Sequence, residues 1–248
     1  MKLTVIGCSG SLPGPSSPAS CYLVEADGAR ILLDLGSGAL GPLQRHVKLT
    51  ELDAVLFSHL HPDHCMDLCG LYVALRYGPD RAAVRVPVWG PEGTGPRMAA
   101  AYGVEPEPGM SGVFDFHPYS DAIAEIGPFT VRTVRVAHPV PAYAIRVEHD
   151  GSALVYSGDT GPTPALVELA SGADVLLCEA AFADVPGNQP GLHLNGREAG
   201  EHATAAGVGR LVVTHVPPWG DPDRALADAR IGFDGAIDLA RPDLSWEF

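Results

Sequence analysis

The sequence predicts an α/β fold of two packed β-sheets with helices on their outer faces. Three observations carry this expectation. Short apolar runs alternate with turn signals, a few longer stretches read as helices, and the order β-rich then helical occurs twice along 248 residues. Hydrophobic residues make up 46% and charged residues 19%, the balance of a soluble globular chain long enough to bury a large core. No composition shift or long linker divides the chain, so residues 1–248 are expected to form a single domain.

Strands are expected at Leu3–Gly7, Cys21–Glu25, Arg30–Asp34, Ala54–Ser58 and Val84–Trp89 in the first half. The second half offers Phe129–Val136, Ala142–Glu148, Ala153–Ser157, Val175–Glu179 and Arg210–Thr214. Asp27-Gly28 and Asp150-Gly151 each separate two such runs and read as hairpin turns. Helices are expected at Cys65–Arg76, Thr163–Ala170, Gly196–Ala206 and Asp221–Ile231. The Pro/Gly-rich stretches Ser11–Ser20, Gly90–Arg97 and Val185–Gly191 read as surface loops.

The formal net charge is -14, and the only lysines are Lys2 and Lys48. Such a surface repels polyanions at long range, which disfavours RNA or DNA as a partner and leaves a small substrate. No run approaches the length of a membrane span, and the start lacks the apolar core and cleavage site of a signal peptide, so the cytoplasm is expected. The five cysteines are odd in number and scattered, which argues against a disulfide framework. Cys65 and Cys69, spaced for one helix face, read as buried helix residues, with Cys8 and Cys21 buried likewise.

The densest chemical signal is Ser58-His59-Leu60-His61-Pro62-Asp63-His64, just after the apolar run Ala54–Phe57. It crowds three imidazoles and one carboxylate into six residues. Imidazole nitrogen and carboxylate oxygen are the donors that zinc takes at catalytic sites. His138, Asp159 and His215 each follow another strand-like run. Strand ends on one side of a sheet converge, so residues far apart in sequence can share a site. Asp34 also ends a run and reads equally well as a hydrogen-bonded turn aspartate or as a residue that orients a ligand.

These segments resemble the metal-binding motifs of the metallo-β-lactamase fold family, and the likeness extends to Ile31-Leu32-Leu33-Asp34. The resemblance implies an αββα four-layer sandwich with two divalent ions at one edge. It implies that His59, His61 and His138 hold one ion, that Asp63, His64 and His215 hold the other, and that Asp159 bridges them. Zinc is the first expectation, and the donors also admit manganese or iron. His193 resembles the non-ligand histidine that precedes the final helix in the phosphodiesterase branch, which implies a proton donor; the alternative is a residue of the helix-capping region. His46, His117, His149 and His202 read as surface histidines.

The opening Val5-Ile6-Gly7-Cys8-Ser9-Gly10-Ser11-Leu12-Pro13 resembles the glycine-rich start of tRNase Z-like phosphodiesterases, as do Cys178–Phe182 and Thr214–Pro218. It is neither a dinucleotide fingerprint nor a Walker A motif, but amides at Ser9, Gly10 and Ser11 are candidates to cradle a phosphate. Bacterial tRNase Z carries a long basic arm between the positions matching His138 and Asp159, which here lie 21 apart (159 minus 138) and leave room for one hairpin. The chain is more similar to the actinobacterial cyclic-nucleotide phosphodiesterases of this fold, through Gly14–Ser20, Leu43–His46, Ala137–Pro139 and His215–Trp219. That implies hydrolysis of a 3′,5′-cyclic nucleotide, cyclic AMP first, by a homodimer. Trp219, Tyr72 and Trp89 are candidates to stack on the base. The alternatives are a tRNA 3′ endonuclease, a lactone or thioester hydrolase, and a metal-binding sensor or scaffold without turnover. A di-iron redox role is disfavoured, because His61 stands where the flavo-di-iron relatives have glutamate.

Overall fold

The computed structural model describes residues 1–79, 85–120, 123–183, 185, 187–189 and 191–248. The first sheet contains β1 (Lys2–Gly7), β2 (Cys21–Ala26), β3 (Ala29–Leu33), β4 (Ala54–Leu56), β5 (Val86–Gly90) and β6 (Phe114–Pro118), with β14 (Ser245–Glu247) at its edge, in the order β14-β1-β2-β3-β4-β5-β6. The second contains β7 (Ala124–Ile126), β8 (Phe129–Arg135), β9 (Tyr143–His149), β10 (Ser152–Tyr156), β11 (Val175–Glu179), β12 (Arg210–Thr214) and β13 (Ala236–Leu239), in the order β13-β12-β11-β10-β9-β8-β7. Each sheet is antiparallel along one part and parallel along the other. Both expected hairpin turns form: Asp27 and Gly28 take φ of 49° and 81°, Asp150 and Gly151 take 47° and 83°, the left-handed pair that suits a two-residue turn.

The core has three parts, which define four layers. Leu3, Val24, Ile31, Leu56, Ile145, Leu154, Leu177 and Val212 interleave between the sheets. The outer face of the first sheet packs through Leu23, Leu32 and Val55 against α3 (Leu68–Tyr77) and α4 (Thr94–Tyr102). The outer face of the second packs through Val155, Leu176 and Val213 against α5 (Pro164–Ala170), α6 (Gly196–Ala206) and α7 (Pro222–Gly232). Strands buried on both faces read as continuous apolar runs, which is why β4, β11 and β12 were legible. The helices sit outside, as in the expected αββα sandwich.

Several elements differ from expectation. The helix expected at Cys65–Arg76 is two pieces, α2 (Pro62–Cys65) and α3, after a four-residue α1 (Leu40–Leu43). The break falls where the Asp67 amide donates to the Leu35 carbonyl and the Asp67 carboxylate accepts from the Leu40 amide. The stretch Gly90–Arg97 is a strand end and the start of α4, not a loop. Gly93, at φ 86°, turns the chain, and Pro96 lies in the first helical turn, where its missing N–H costs nothing. Strands β6, β7, β13 and β14 were not anticipated. Val84, placed in a strand by sequence, lies outside the described residues, as do parts of the expected 185–191 loop.

Candidate metal centre

β3 and β4 are parallel neighbours, so Asp34 and the His59–His64 loop leave the same end of the first sheet. In the second sheet β10, β11 and β12 run parallel, and β8 runs the same way as β10 because β9 is antiparallel to both. Val136–His138, Ser157–Asp159, Glu179 and His215 therefore emerge together at one end. Binding at the carboxyl ends of such strands is the rule for open α/β sheets. Pro62, first residue of α2, stiffens the loop and directs Asp63 and His64 into the first helical turn. Gly36 lets that loop come close: a Cβ there would stand 1.9 Å from the Asp63 carbonyl oxygen.

The seven expected ligands meet. On one side His59 Nε2 lies 3.0 Å from His61 Nδ1, His138 Nε2 lies 3.3 Å from the same atom, and Asp159 Oδ2 is 3.6 Å from His59 Nε2. On the other, His64 Nε2 lies 3.1 Å from His215 Nε2, 3.3 Å from Asp63 Oδ2 and 3.2 Å from Asp159 Oδ1. His215 Nε2 is 3.2 Å from Asp63 Oδ2 and 3.3 Å from Asp159 Oδ1. Two groups of four donors result, each with its ligand atoms within 4.8 Å of one another, and Asp159 belongs to both with one oxygen toward each.

The outer hydrogen bonds decide what the inner atoms can hold. Asp34 is fully buried; its Oδ2 accepts from His64 Nδ1, Ser58 Oγ and Tyr156 Oη, each at 2.7 Å, and its Oδ1 accepts from the Ser58 amide at 2.6 Å. Ser58 Oγ, having given its proton to Asp34, accepts from His59 Nδ1 at 3.1 Å. The Leu192 carbonyl accepts from His138 Nδ1 at 3.0 Å. These acceptors hold one ring proton of His59, His64 and His138 outward, so each ring, when neutral, turns a lone pair inward. Asp159 Oδ1 is buried facing His64 Nε2 and His215 Nε2, and among the described residues it makes no well-formed hydrogen bond. Converging lone pairs beside an orphaned carboxylate oxygen fit cations, and the residues present fit a divalent pair.

Burial, together with neighbouring histidines, holds His59, His61 and His138 below the ordinary imidazole range, which favours the neutral form that binds metal. Burial alone would raise Asp63 and Asp159, but the facing histidines outweigh it and keep both carboxylates ionised. Burial would lower His64, yet Asp159 and Asp34 hold it well above its usual range. Without an ion that ring keeps a proton, which an ion would displace.

His193 stands beside the cluster, its ring centroid 5.6 Å from that of His138 and 5.7 Å from that of His215. Its Nδ1 donates to Glu179 Oε1 at 2.9 Å. It is not the helix cap: Asn195 caps α6, with Glu198 completing a capping box. Glu179 is fully buried and also accepts from the amides of Thr160 and Ala181. Sequence reasoning missed Glu179, although its place at the end of an apolar strand is the same signal that found Asp159. Burial works against a charge on His193, and the Glu179 carboxylate overcomes it and raises the ring above its ordinary value.

Of the three amides expected to cradle a phosphate, those of Ser9 and Gly10 are taken by backbone carbonyls. The amides of Cys8, Ser9, Gly10 and Leu12 donate to Ser17, Pro18, Val216 and Gly10, and the Ser9 hydroxyl donates to the Leu12 carbonyl. Gly10 instead makes room for a ligand strand: a Cβ there would stand 2.2 Å from the His215 carbonyl oxygen. Ser11 is exposed at φ 64°. Trp219, just past His215, is 70% exposed and free to stack. Tyr72 is not, being buried against Tyr102 and Phe114, and Trp89 already stacks on His117 at 4.5 Å. His202 Nε2 accepts from the Thr163 amide at the start of α5, so it is more than a surface histidine.

A family model described as the beta-lactamase superfamily domain matches residues 29–216. The chain belongs to the metallo-β-lactamase fold superfamily. It is 43% identical to the Rv1339 protein of Mycobacterium tuberculosis, covering 100% of this chain and 92% of that one. It is 32% identical to the probable metallo-hydrolase YhfI of Bacillus subtilis over 100% of both, and the YhfI crystal structure superposes with a TM-score of 0.89, covering 100% of this chain and 99% of that one. It is also 32% identical to a ribonuclease Z of Mycobacterium marinum, covering 96% and 95%.

Proposed function

We propose that this metallo-hydrolase is a two-metal phosphodiesterase that opens a 3′,5′-cyclic nucleotide, cyclic AMP first, to the 5′-monophosphate. The observation that carries the reading is Asp159, one carboxylate shared by two four-donor groups beside the Glu179–His193 pair. His59, His61, His138 and Asp159 would hold one ion, and Asp63, His64, His215 and Asp159 the other, with zinc the first expectation. Two such ions, when bound, activate water and offset charge building on a phosphoryl group.

The chain's own residues do the rest. Asp63, kept ionised by the facing histidines, would orient an attacking water. Asp34 directs His64 itself, and His59 through Ser58. Glu179 fixes the ring of His193 through Nδ1, which leaves Nε2 to protonate the departing 3′ oxygen. A short connection supports a small substrate: between His138 and Asp159 the chain makes only β9, the Asp150-Gly151 turn and β10. The net charge of -14 supports it too. The choice of a cyclic nucleotide and of a homodimer rests on the sequence resemblance; a single 1–248 domain rests on the chain's unbroken composition, and the cytoplasm on its apolar patterning. Among the described residues no helix is long and apolar enough to cross a membrane.

A tRNA 3′ endonuclease is the second reading, favoured by the likeness to ribonuclease Z. Incubating the metal-loaded protein with cyclic nucleotides, precursor tRNA and bis-p-nitrophenyl phosphate separates the two. Higher kcat/KM on a cyclic nucleotide is expected; cleavage of precursor tRNA with no action on cyclic AMP would overturn the proposal.

A further inference from the structure

The ligands come from both sheets: His59, His61, Asp63 and His64 from the first, and His138, Asp159 and His215 from the second. Two-ion binding therefore needs the sheets held in register at this edge, and the apolar burial between them is non-directional. Two tyrosines cross the gap in opposite directions. Tyr156, on β10 of the second sheet, donates to Asp34 at the end of β3 in the first, at 2.7 Å. Tyr22, on β2 of the first sheet, shares a hydrogen bond of 2.7 Å with Thr214, the residue before His215 in the second. Their rings meet with centroids 5.1 Å apart at 56°, and neither is more than 1% exposed.

We infer that Tyr156, seconded by Tyr22, is a positioning residue that registers the two half-sets of ligands for two-ion binding. Among the described residues, Tyr156 is the only one of the four donors to Asp34 that comes from the opposite sheet. Through Asp34 its hydroxyl reaches a ligand of each ion, His64 directly and His59 by way of Ser58. Its bond ends on a carboxylate and is the stronger kind; the Tyr22–Thr214 bond is neutral, so its loss should matter less. A phenylalanine at 156 keeps the ring packing and removes only the tie. The inference rests on the two-ion reading proposed above.

The test is zinc affinity of the full-length protein by chelator competition, together with melting of the metal-free protein. Tyr156→Phe should weaken zinc binding roughly tenfold to a hundredfold, the usual effect of losing an outer partner of a ligand. Metal-free melting should shift much less than that loss implies, and Tyr22→Phe should weaken zinc binding less than tenfold. Tyr119→Phe is the control, because the buried Tyr119 hydroxyl has no hydrogen-bond partner among the described residues; its affinity should stay as in the wild type. Wild-type zinc affinity in Tyr156→Phe would overturn the inference and leave the two-ion reading standing. Wild-type protein that takes up fewer than two ions would end both. If Tyr156→Phe does not fold, NMR of labelled wild-type protein decides: the Tyr156 hydroxyl and His64 Nδ1 protons should both shift as zinc is added, and a Tyr156 proton that stays put overturns the inference.

Discussion

Replacing Glu179 by glutamine tests the proton donor. In the native site Glu179 Oε1 accepts from both the Thr160 amide and His193 Nδ1, while Oε2 accepts from the Ala181 amide. Glutamine can keep its oxygen at the first position and lose only the Ala181 bond, so the loop should hold. What goes is the charge opposite His193. A hydrogen bond between charged partners contributes about 1.5–3 kcal/mol against about 0.5–1.5 for a neutral one. The difference, about 1–1.5 kcal/mol, corresponds to roughly a tenfold change in the ring's proton affinity. The sign follows from the raised His193: activity that needs its proton persists to higher pH and falls as pH rises through that value. In Glu179→Gln the fall should come about one unit lower, with the acid side little changed. The assay is kcat/KM for the best substrate against pH, with zinc saturating. A basic limb at the same pH in both proteins would refute the assignment of His193 as the protonated donor held by Glu179.

Three more variants probe the rest of the site. Asp63→Ala should abolish turnover and lower bound metal, as read by elemental analysis, while circular dichroism stays native, because none of the three core clusters includes that side chain. Asp34→Asn puts an amide where four donors converge; it should destabilise the fold by about 2–4 kcal/mol in urea unfolding and weaken zinc binding by at least about tenfold. Trp219→Ala should raise KM several-fold with little change in kcat if the exposed ring stacks on the base, and an unchanged KM would remove it from the substrate site.

Much of this site is readable in the chain because its chemistry is locally dense. The run His59–His64 concentrates donors, and His138, Asp159 and His215 each end an apolar strand, where a polar residue has no core reason to be. Asp34 was visible, but its two readings could not be separated until Tyr156, 122 residues away, was seen to share it with His64. Glu179 lay inside the resembling segment Cys178–Phe182 and carried the strand-end signal, but no neighbouring histidine or second acid marked it as a site residue. The same holds for the fold. Buried strands announce themselves, whereas β7, β13 and β14 are three or four residues at or near sheet edges, partly exposed and without a clear pattern. Strand β6, Phe-Asp-Phe-His-Pro, did carry the alternation of a half-buried strand. Helix α4 was hidden by the glycines and proline that start it. Glycine-rich sequence also signals close backbone approach, and at Gly10 what approaches is the His215 carbonyl.

The central claim is that Asp159 joins two ions. Anomalous diffraction from zinc-loaded crystals tests it most directly. Two peaks are expected about 3.5–4 Å apart, one among His59, His61 and His138, the other among Asp63, His64 and His215, with the Asp159 carboxylate between them. A single peak, or two peaks with Asp159 bound to neither, would contradict it.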